Sequence, residues 1–148
     1  MVKVEQAYAF QIVRTARLMR LHFTRFAQRE GFDISQEQWL ILNKLAQNPG
    51  LSQLELGDSL IHDKPNITRI LAGMEKKKLI QRRVDSDDRR IMRVELTAAG
   101  KKIHAQLSSR VASERNVVQA GLTEADFEAL VRICRQLEAN ISQSFEGD

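Results

Sequence analysis

A chain of 148 residues, 43% hydrophobic and 28% charged, has enough apolar material for one packed domain and too much for a disordered one. Seven Gly, two Pro and 5% aromatic residues leave little for the turns and strands of an all-β fold, so helices should dominate. The formal net charge of +4 is mild taken over the whole chain.

The N-terminal stretch Met1 to Gln11 lacks the apolar segment and cleavage site of a signal peptide. No apolar run approaches the roughly 20 residues of a bilayer-spanning helix, so no membrane partner and a cytoplasmic location are expected. From Val4 to Arg29 the residues Tyr8, Ile12, Ala16, Met19, Phe23 and Phe26 recur at steps of three and four, which predicts a long amphipathic helix stopped at Gly31. Ser35 with Gln38 three residues later reads as a capping box opening a second helix, whose buried stripe is Trp39, Leu42 and Leu45. Asn48-Pro49-Gly50 ends it. Ser52 caps a short third helix, Gln53 to about Leu60, with Leu54 and Leu56 apolar. Only Ile61, His62 and Asp63 separate it from the next. Asp63 is a good N-cap and Pro65 falls in the first turn, so a fourth helix should run from Lys64 to about Lys77. Two helices joined so tightly are a helix-turn-helix candidate.

At 100° per residue, Ile67, Ile70, Leu71 and Met74 fall on the core face of that fourth helix. Pro65, Arg69, Ala72, Gly73 and Lys76 fall opposite, with Asn66 and Thr68 on the flanks. Asn66, Thr68 and Arg69 are types that contact base edges or phosphates in a major groove. Gly73 costs a mid-helix position roughly 1 kcal/mol against Ala, which is easier to understand if something comes close to it. A polar side that simply meets water is the competing reading.

Between Lys64 and Arg93 ten basic residues stand against four acids, a net +6, while the rest of the chain carries 13 basic and 15 acidic residues, a net −2. The positive excess therefore belongs to one contiguous fifth of the chain, the footprint expected for a polyanion partner. Within this segment the period changes from 3.6 to 2. Leu79 to Val84 and Ile91 to Leu96 read as the strands of a hairpin, with the charged tip Asp85-Ser86-Asp87-Asp88 between them. Thr97 then caps a long helix carrying Ile103, Leu107, Val111 and Val118. Thr123 opens another with Phe127, Leu130, Val131, Cys134, Leu137, Ile141 and Phe145.

Cys134 is the single cysteine, so neither an internal disulfide nor a multi-thiolate zinc site is open to the chain, and its place on an apolar stripe suits packing. His22, His62 and His104 fit no metal-binding spacing, and no nucleophile–base pair or Gly-rich phosphate loop is present. No enzyme activity, metal or cofactor is expected.

The order helix-turn-helix then hairpin is that of a winged helix, and the residues agree. The stretch DSDDRRIMRVELTAAG, Asp85 to Gly100, resembles the wing signature of the MarR/SlyA family of bacterial transcription regulators, with Asp88, Arg90, Leu96, Thr97 and Gly100 in register. Upstream, NITRILAGMEKKKLIQRR is similar to that family's recognition helix, with Thr68-Arg69 at its Thr-Arg pair and Leu79-Ile80 opening the first wing strand. Two positions depart from the family pattern. Lys78 stands where the family has Gly at the helix end, so a left-handed cap there would be strained and the turn should end differently. Gly57 replaces a more usual Ala and mildly weakens the third helix.

The resemblance implies a mainly α protein with a winged helix-turn-helix flanked by long dimerisation helices. Residues 1–148 would form a single domain, with 35–100 the DNA-binding part and 1–31 and 101–148 the dimerisation part. Lys64, Pro65, Asn66, Thr68, Arg69, Gly73 and Lys76 would meet the major groove. In the wing, Arg90 would enter the minor groove with Asp88 holding its guanidinium, Arg89 beside it, and Arg82 and Arg83 on phosphates. For Asp85 and Asp87 a plain solvated turn competes. The long helices also carry more apolar stripe than one small core can cover, which independently favours a homodimer. Such a dimer would read a pseudo-palindromic operator through recognition helices about 34 Å apart. Members of the family are usually repressors released by a small, often aromatic, ligand. Phe10, Met19, Phe23 and Trp39 are candidates to line its pocket and equally good core residues. The family's peroxide sensors carry a cysteine near the first helix, where this chain has none. A helical protein-interaction module that kept the fold without binding DNA is the alternative, and Arg69, Lys76 and Arg90 argue against it.

Overall fold

The computed structural model describes residue 3 and residues 7–60 and 63–145. Their element order is α1 (Tyr8–Arg29), α2 (Gln36–Gln47), α3 (Gln53–Leu60), α4 (Lys64–Lys76), β1 (Ile80–Val84), β2 (Met92–Leu96), α5 (Ala98–Gln119) and α6 (Glu124–Phe145). Val4, where the sequence opens the first helix, and Ile61 and His62 of the tight turn lie outside the described residues. The contacts divide the chain into a unit ending at Arg110 and a second unit from Val111 onward.

The helix starts are set by local chemistry. Gln38 N–H donates to Ser35 Oγ (3.1 Å) and Ser35 N–H to Gln38 Oε1 (3.2 Å), the reciprocal capping box expected from sequence. Ser52 and Glu55 form a second such box at α3, at 3.1 and 2.7 Å. Asp63 caps α4 by accepting from Asn66 N–H at 2.9 Å, with Pro65 in the first turn. Thr97 caps α5 through Gly100 N–H (3.0 Å), and Thr123 caps α6 through Asp126 N–H (3.3 Å).

The first unit's core lies between the C-terminal half of α1 (Phe23, Phe26, Ala27), α2 (Trp39, Ile41, Leu42, Leu45) and α4 (Ile67, Ile70, Leu71, Met74). Leu56, Leu79, Ile80, Val94 and Leu107 close it. Burying these side chains at about 25 cal/mol per Å² is its main stabilisation. The four α4 residues are those the helical-face reading assigned to the core. Leu54, by contrast, is exposed on α3. The α1 stripe is covered only over its last turns, since Tyr8, Ile12 and Met19 are exposed. β1 and β2 pair antiparallel, Ile80 opposite Leu96 through Val84 opposite Met92. In the second unit α6 buries none of its residues, and Leu130, Val131, Ile141 and Phe145 are exposed. Among the described residues no helix is long and apolar enough to cross a membrane, and no group of His, Cys, Asp and Glu is placed to hold a metal ion.

The end of α4 corrects one expectation. Lys78 does take the left-handed conformation, φ 60°, in place of a different termination. Leu79 N–H reaches Met74 O (3.0 Å) and Lys78 N–H reaches Glu75 O (2.9 Å), which is the full Schellman pattern normally closed by glycine.

Candidate nucleic-acid interface

α3 and α4 are joined by polar contacts as well as by their buried faces. Gln53, the first residue of α3, donates through Nε2 to Thr68 Oγ1 (2.9 Å), and Thr68 Oγ1 donates in turn to Lys64 O (2.8 Å). One turn apart on α4, Arg69 donates through an amino group to Asn66 Oδ1 (2.8 Å), so the two groove-facing candidates form one hydrogen-bonded unit. Lys64, Pro65, Thr68, Arg69 and Lys76 are exposed, and Asn66 is half-buried. Gly73 sits on a flank. A Cβ built there would meet Gln38 Nε2 of α2 at 3.9 Å, an ordinary van der Waals distance.

At the wing tip the Asp88 carboxylate accepts three bonds from Arg90: from its backbone N–H (3.0 Å), from Nε (3.0 Å) and from a terminal amino group (2.9 Å). This fork grips the guanidinium on one edge and leaves the other edge in solvent, the Arg90 side chain being 90% exposed. The pairing lowers the Asp88 pKa and raises that of Arg90. Arg89 is exposed beside it. The two strand arginines differ. Arg82 Nε donates to Glu75 Oε2 at 2.8 Å, and its side chain is only 24% exposed. It braces β1 against the last turn of α4 and holds the Glu75 carboxyl below its ordinary range. Arg83 is exposed, with Glu95 Oε2 at 3.7 Å from its Nε.

Three contributors escaped the sequence reading, and the role of a fourth was left open there. Asp85, weighed there against a solvated turn, organises the tip. Its Oδ1 accepts from Asp87 N–H (2.8 Å) and Asp88 N–H (3.0 Å), and its Oδ2 from Arg93 Nε (2.6 Å). The Arg93 bond, followed by the Asp88 and Asp87 amides, takes its pKa from 3.8 to about 2. Arg93, Glu55 and Gln53 are the others. The Asp-x-Asp-Asp run at a hairpin tip was the signal for Asp85, because aspartates there fold back onto amides two residues on. Nothing local marked the partners of Arg93.

Of the four candidate ligand residues the structure brings two together. Phe23 stacks on Trp39 (centroids 6.4 Å, 22°), and Trp39 stacks on His104 (5.3 Å, 16°), whose Nε2 lies 3.2 Å from Asn43 Oδ1. Phe10 and Met19 stay exposed farther up α1. A small cavity lies elsewhere, lined by Gly31, Phe32, Asp33, Ile34, Lys77, Leu79 and Ile103.

A tight helix pair followed by an antiparallel hairpin with a basic, pinned tip defines a winged-helix protein. The model of the MarR family matches residues 34–92, which span α2, α3, α4 and the hairpin tip. Over that segment the chain is similar to the MarR family. Solved structures extend the likeness beyond that segment. The MepR–DNA complex of S. aureus matches with a TM-score of 0.81 at 26% identity, over 91% of this chain and 98% of that one. The PcaV regulator of Streptomyces coelicolor, in complex with its natural ligand, matches with a TM-score of 0.81 at 21% identity, over 94% and 96%. Bordetella bronchiseptica BpsR, whose DNA binding is regulated by 6-hydroxynicotinic acid, matches with a TM-score of 0.82 at 17% identity, over 93% and 97%.

Proposed function

We propose that this chain is a homodimeric, sequence-specific double-stranded DNA-binding regulator of transcription, acting in the cytoplasm as a repressor relieved by a small aromatic ligand. The observation that carries it is the Asp88–Arg90 fork, since a guanidinium gripped on one edge and free on the other is prepared for the negative potential of a minor groove. Residues 35–100 form the DNA-binding part. α4 presents Lys64, Pro65, Asn66, Thr68, Arg69 and Lys76 to the major groove, while Arg89 and Arg83 supply positive charge toward phosphates. The likeness to a protein solved on DNA supports this.

Residues 1–31 and 101–148 form the dimerisation part. Exposed apolar side chains on α1 (Tyr8, Ile12, Val13), α5 (Val117, Val118) and α6 (Leu130, Ile141, Phe145) form stripes that a second copy would cover. A two-fold pair then presents two recognition helices about 34 Å apart to a pseudo-palindromic operator. The ligand, placed against the Phe23–Trp39 stack with Phe10 and Met19, favours the dimer whose helices are wrongly spaced, and it shifts the population only as far as its differential affinity allows.

The test is a titration of the chain's own upstream DNA across a salt series, with Arg90→Ala beside wild type. Removing the groove interaction should cost about 1–3 kcal/mol at fixed salt. Size-exclusion light scattering on the same sample should give a dimer. No binding at low salt to that fragment or to random duplex would overturn the reading and leave the protein-interaction module in its place.

A further inference from the structure

The Arg90 fork hangs from a chain of hydrogen bonds that begins outside the wing. Arg93 on β2 donates Nε to Asp85 Oδ2 (2.6 Å) and an amino group to Gly50 O (3.2 Å), with Glu55 Oε2 at 3.5 Å from that same group. Glu55 is itself fixed, because its Oε2 accepts from Ser52 N–H in the α3 cap. Beside it the backbone continues the attachment: Val94 N–H donates to Leu51 O (2.9 Å), and Ser52 and Arg93 form an antiparallel bridge. At the other end, Asp85 Oδ1 holds the amides of Asp87 and Asp88, and Asp88 holds Arg90. Asp85 is only 15% exposed, so it is built into the hairpin rather than offered to a partner. Every link from the loop before α3 to the wing tip is thus a hydrogen bond, and the guanidinium at its centre serves three acceptors that a single point charge could not serve together.

We propose that Arg93 and Asp85 are positioning residues that tie the wing tip to the start of α3, and thereby set where Arg90 meets the duplex relative to α4. This rests on the DNA-binding reading above. Neither residue touches DNA, and both act through Arg90.

Charge gives the test its sign. Replacing Asp85 by Asn removes a negative charge near the binding face and, by simple attraction to phosphate, should strengthen DNA binding. Positioning predicts the reverse. Full-length wild type, Arg90→Ala, Asp85→Asn, Arg93→Lys and the double variant Asp85→Asn/Arg90→Ala are titrated with upstream DNA across a salt series. Affinity should fall roughly tenfold for Asp85→Asn and Arg93→Lys, the lower end of the range for removing a groove interaction, with the salt slope unchanged. The double variant should bind no worse than Arg90→Ala alone, as expected for residues acting through one side chain. Amide hydrogen exchange at Asp87 and Asp88 without DNA should quicken in Asp85→Asn. Full affinity in Arg93→Lys would mean that a bare positive charge at a phosphate suffices, and would overturn the proposal. Equal or tighter binding by Asp85→Asn, or a penalty that adds to that of Arg90→Ala, would also overturn it. If wild type itself does not bind, the DNA-binding reading falls first and this inference with it.

Discussion

The hydroxyl of Thr97 donates a 2.6 Å hydrogen bond to the carbonyl oxygen of Lys78, and Lys78 is the one non-glycine residue among those described with a positive φ. The same hydroxyl accepts from Gly100 N–H, and Thr97 N–H donates to Leu79 O. One threonine therefore caps α5 and clamps the α4–β1 junction in the conformation that lysine resists. The left-handed conformation costs a non-glycine residue about 1–2 kcal/mol, partly offset because glycine loses more backbone freedom on folding. Lys78→Gly should therefore raise stability by about 1 kcal/mol, and Thr97→Val should lower it by about 2 kcal/mol through the lost cap and the orphaned carbonyl. Urea unfolding at one fixed protein concentration reads both. Destabilisation by Lys78→Gly would mean that the lysine side chain contributes something its exposed position does not reveal.

Gly100 faces the same junction from α5. A Cβ there would run into Leu79 O, a backbone atom that cannot turn aside. Gly100→Ala should cost about 3 kcal/mol, at the upper end for overpacking, and should separate α5 from the base of the wing. A urea midpoint within error of wild type would show that the junction has slack enough to admit a methyl group.

These two residues also show what the sequence could and could not disclose. The caps were legible because donor and acceptor stand three residues apart, and the Asp88–Arg90 fork because the family resemblance implied it. Lys78 was not, since the strain is compensated by Thr97, nineteen residues on. The Arg82–Glu75 pair was not legible either, because the strand position of Arg82 gave no hint that Glu75, on the preceding helix, faces it. Asp85 and Arg93 are brought together by hairpin register, which a strand pattern sets only once its turn is known. The family resemblance marked the fold and the wing; the supports beneath the wing are long-range.

Gly73 tests the helical-face reading of α4. The sequence placed it where a duplex could approach, while the structure gives it Gln38 for a neighbour at a distance ordinary for a methyl group. Gly73→Ala should stabilise the chain by about 1 kcal/mol through helix propensity alone, and DNA affinity should stay within about twofold of wild type. A stabilised variant with tenfold weaker binding would return Gly73 to the interface.

Acid should release the wing through Asp85. Its pKa lies at about 2 in the folded chain against an ordinary 3.8, chiefly because of the Arg93 hydrogen bond. A carboxyl depressed on folding contributes its full stabilisation above the unfolded value, and loses it as pH falls toward the folded one, because the unfolded chain then binds more protons. Glu55, Glu75 and Asp88 are lowered too, so wild type alone would mix several titrations. The difference between wild type and Asp85→Asn isolates one. Wild type should be the more stable at pH 6, with the gap closing between pH 3.8 and about 2. Paired urea melts at steps through that range measure it. A gap of constant size down to pH 2 would show that Asp85 acts as a neutral hydrogen-bond acceptor, which Asn would have matched in size but not in geometry.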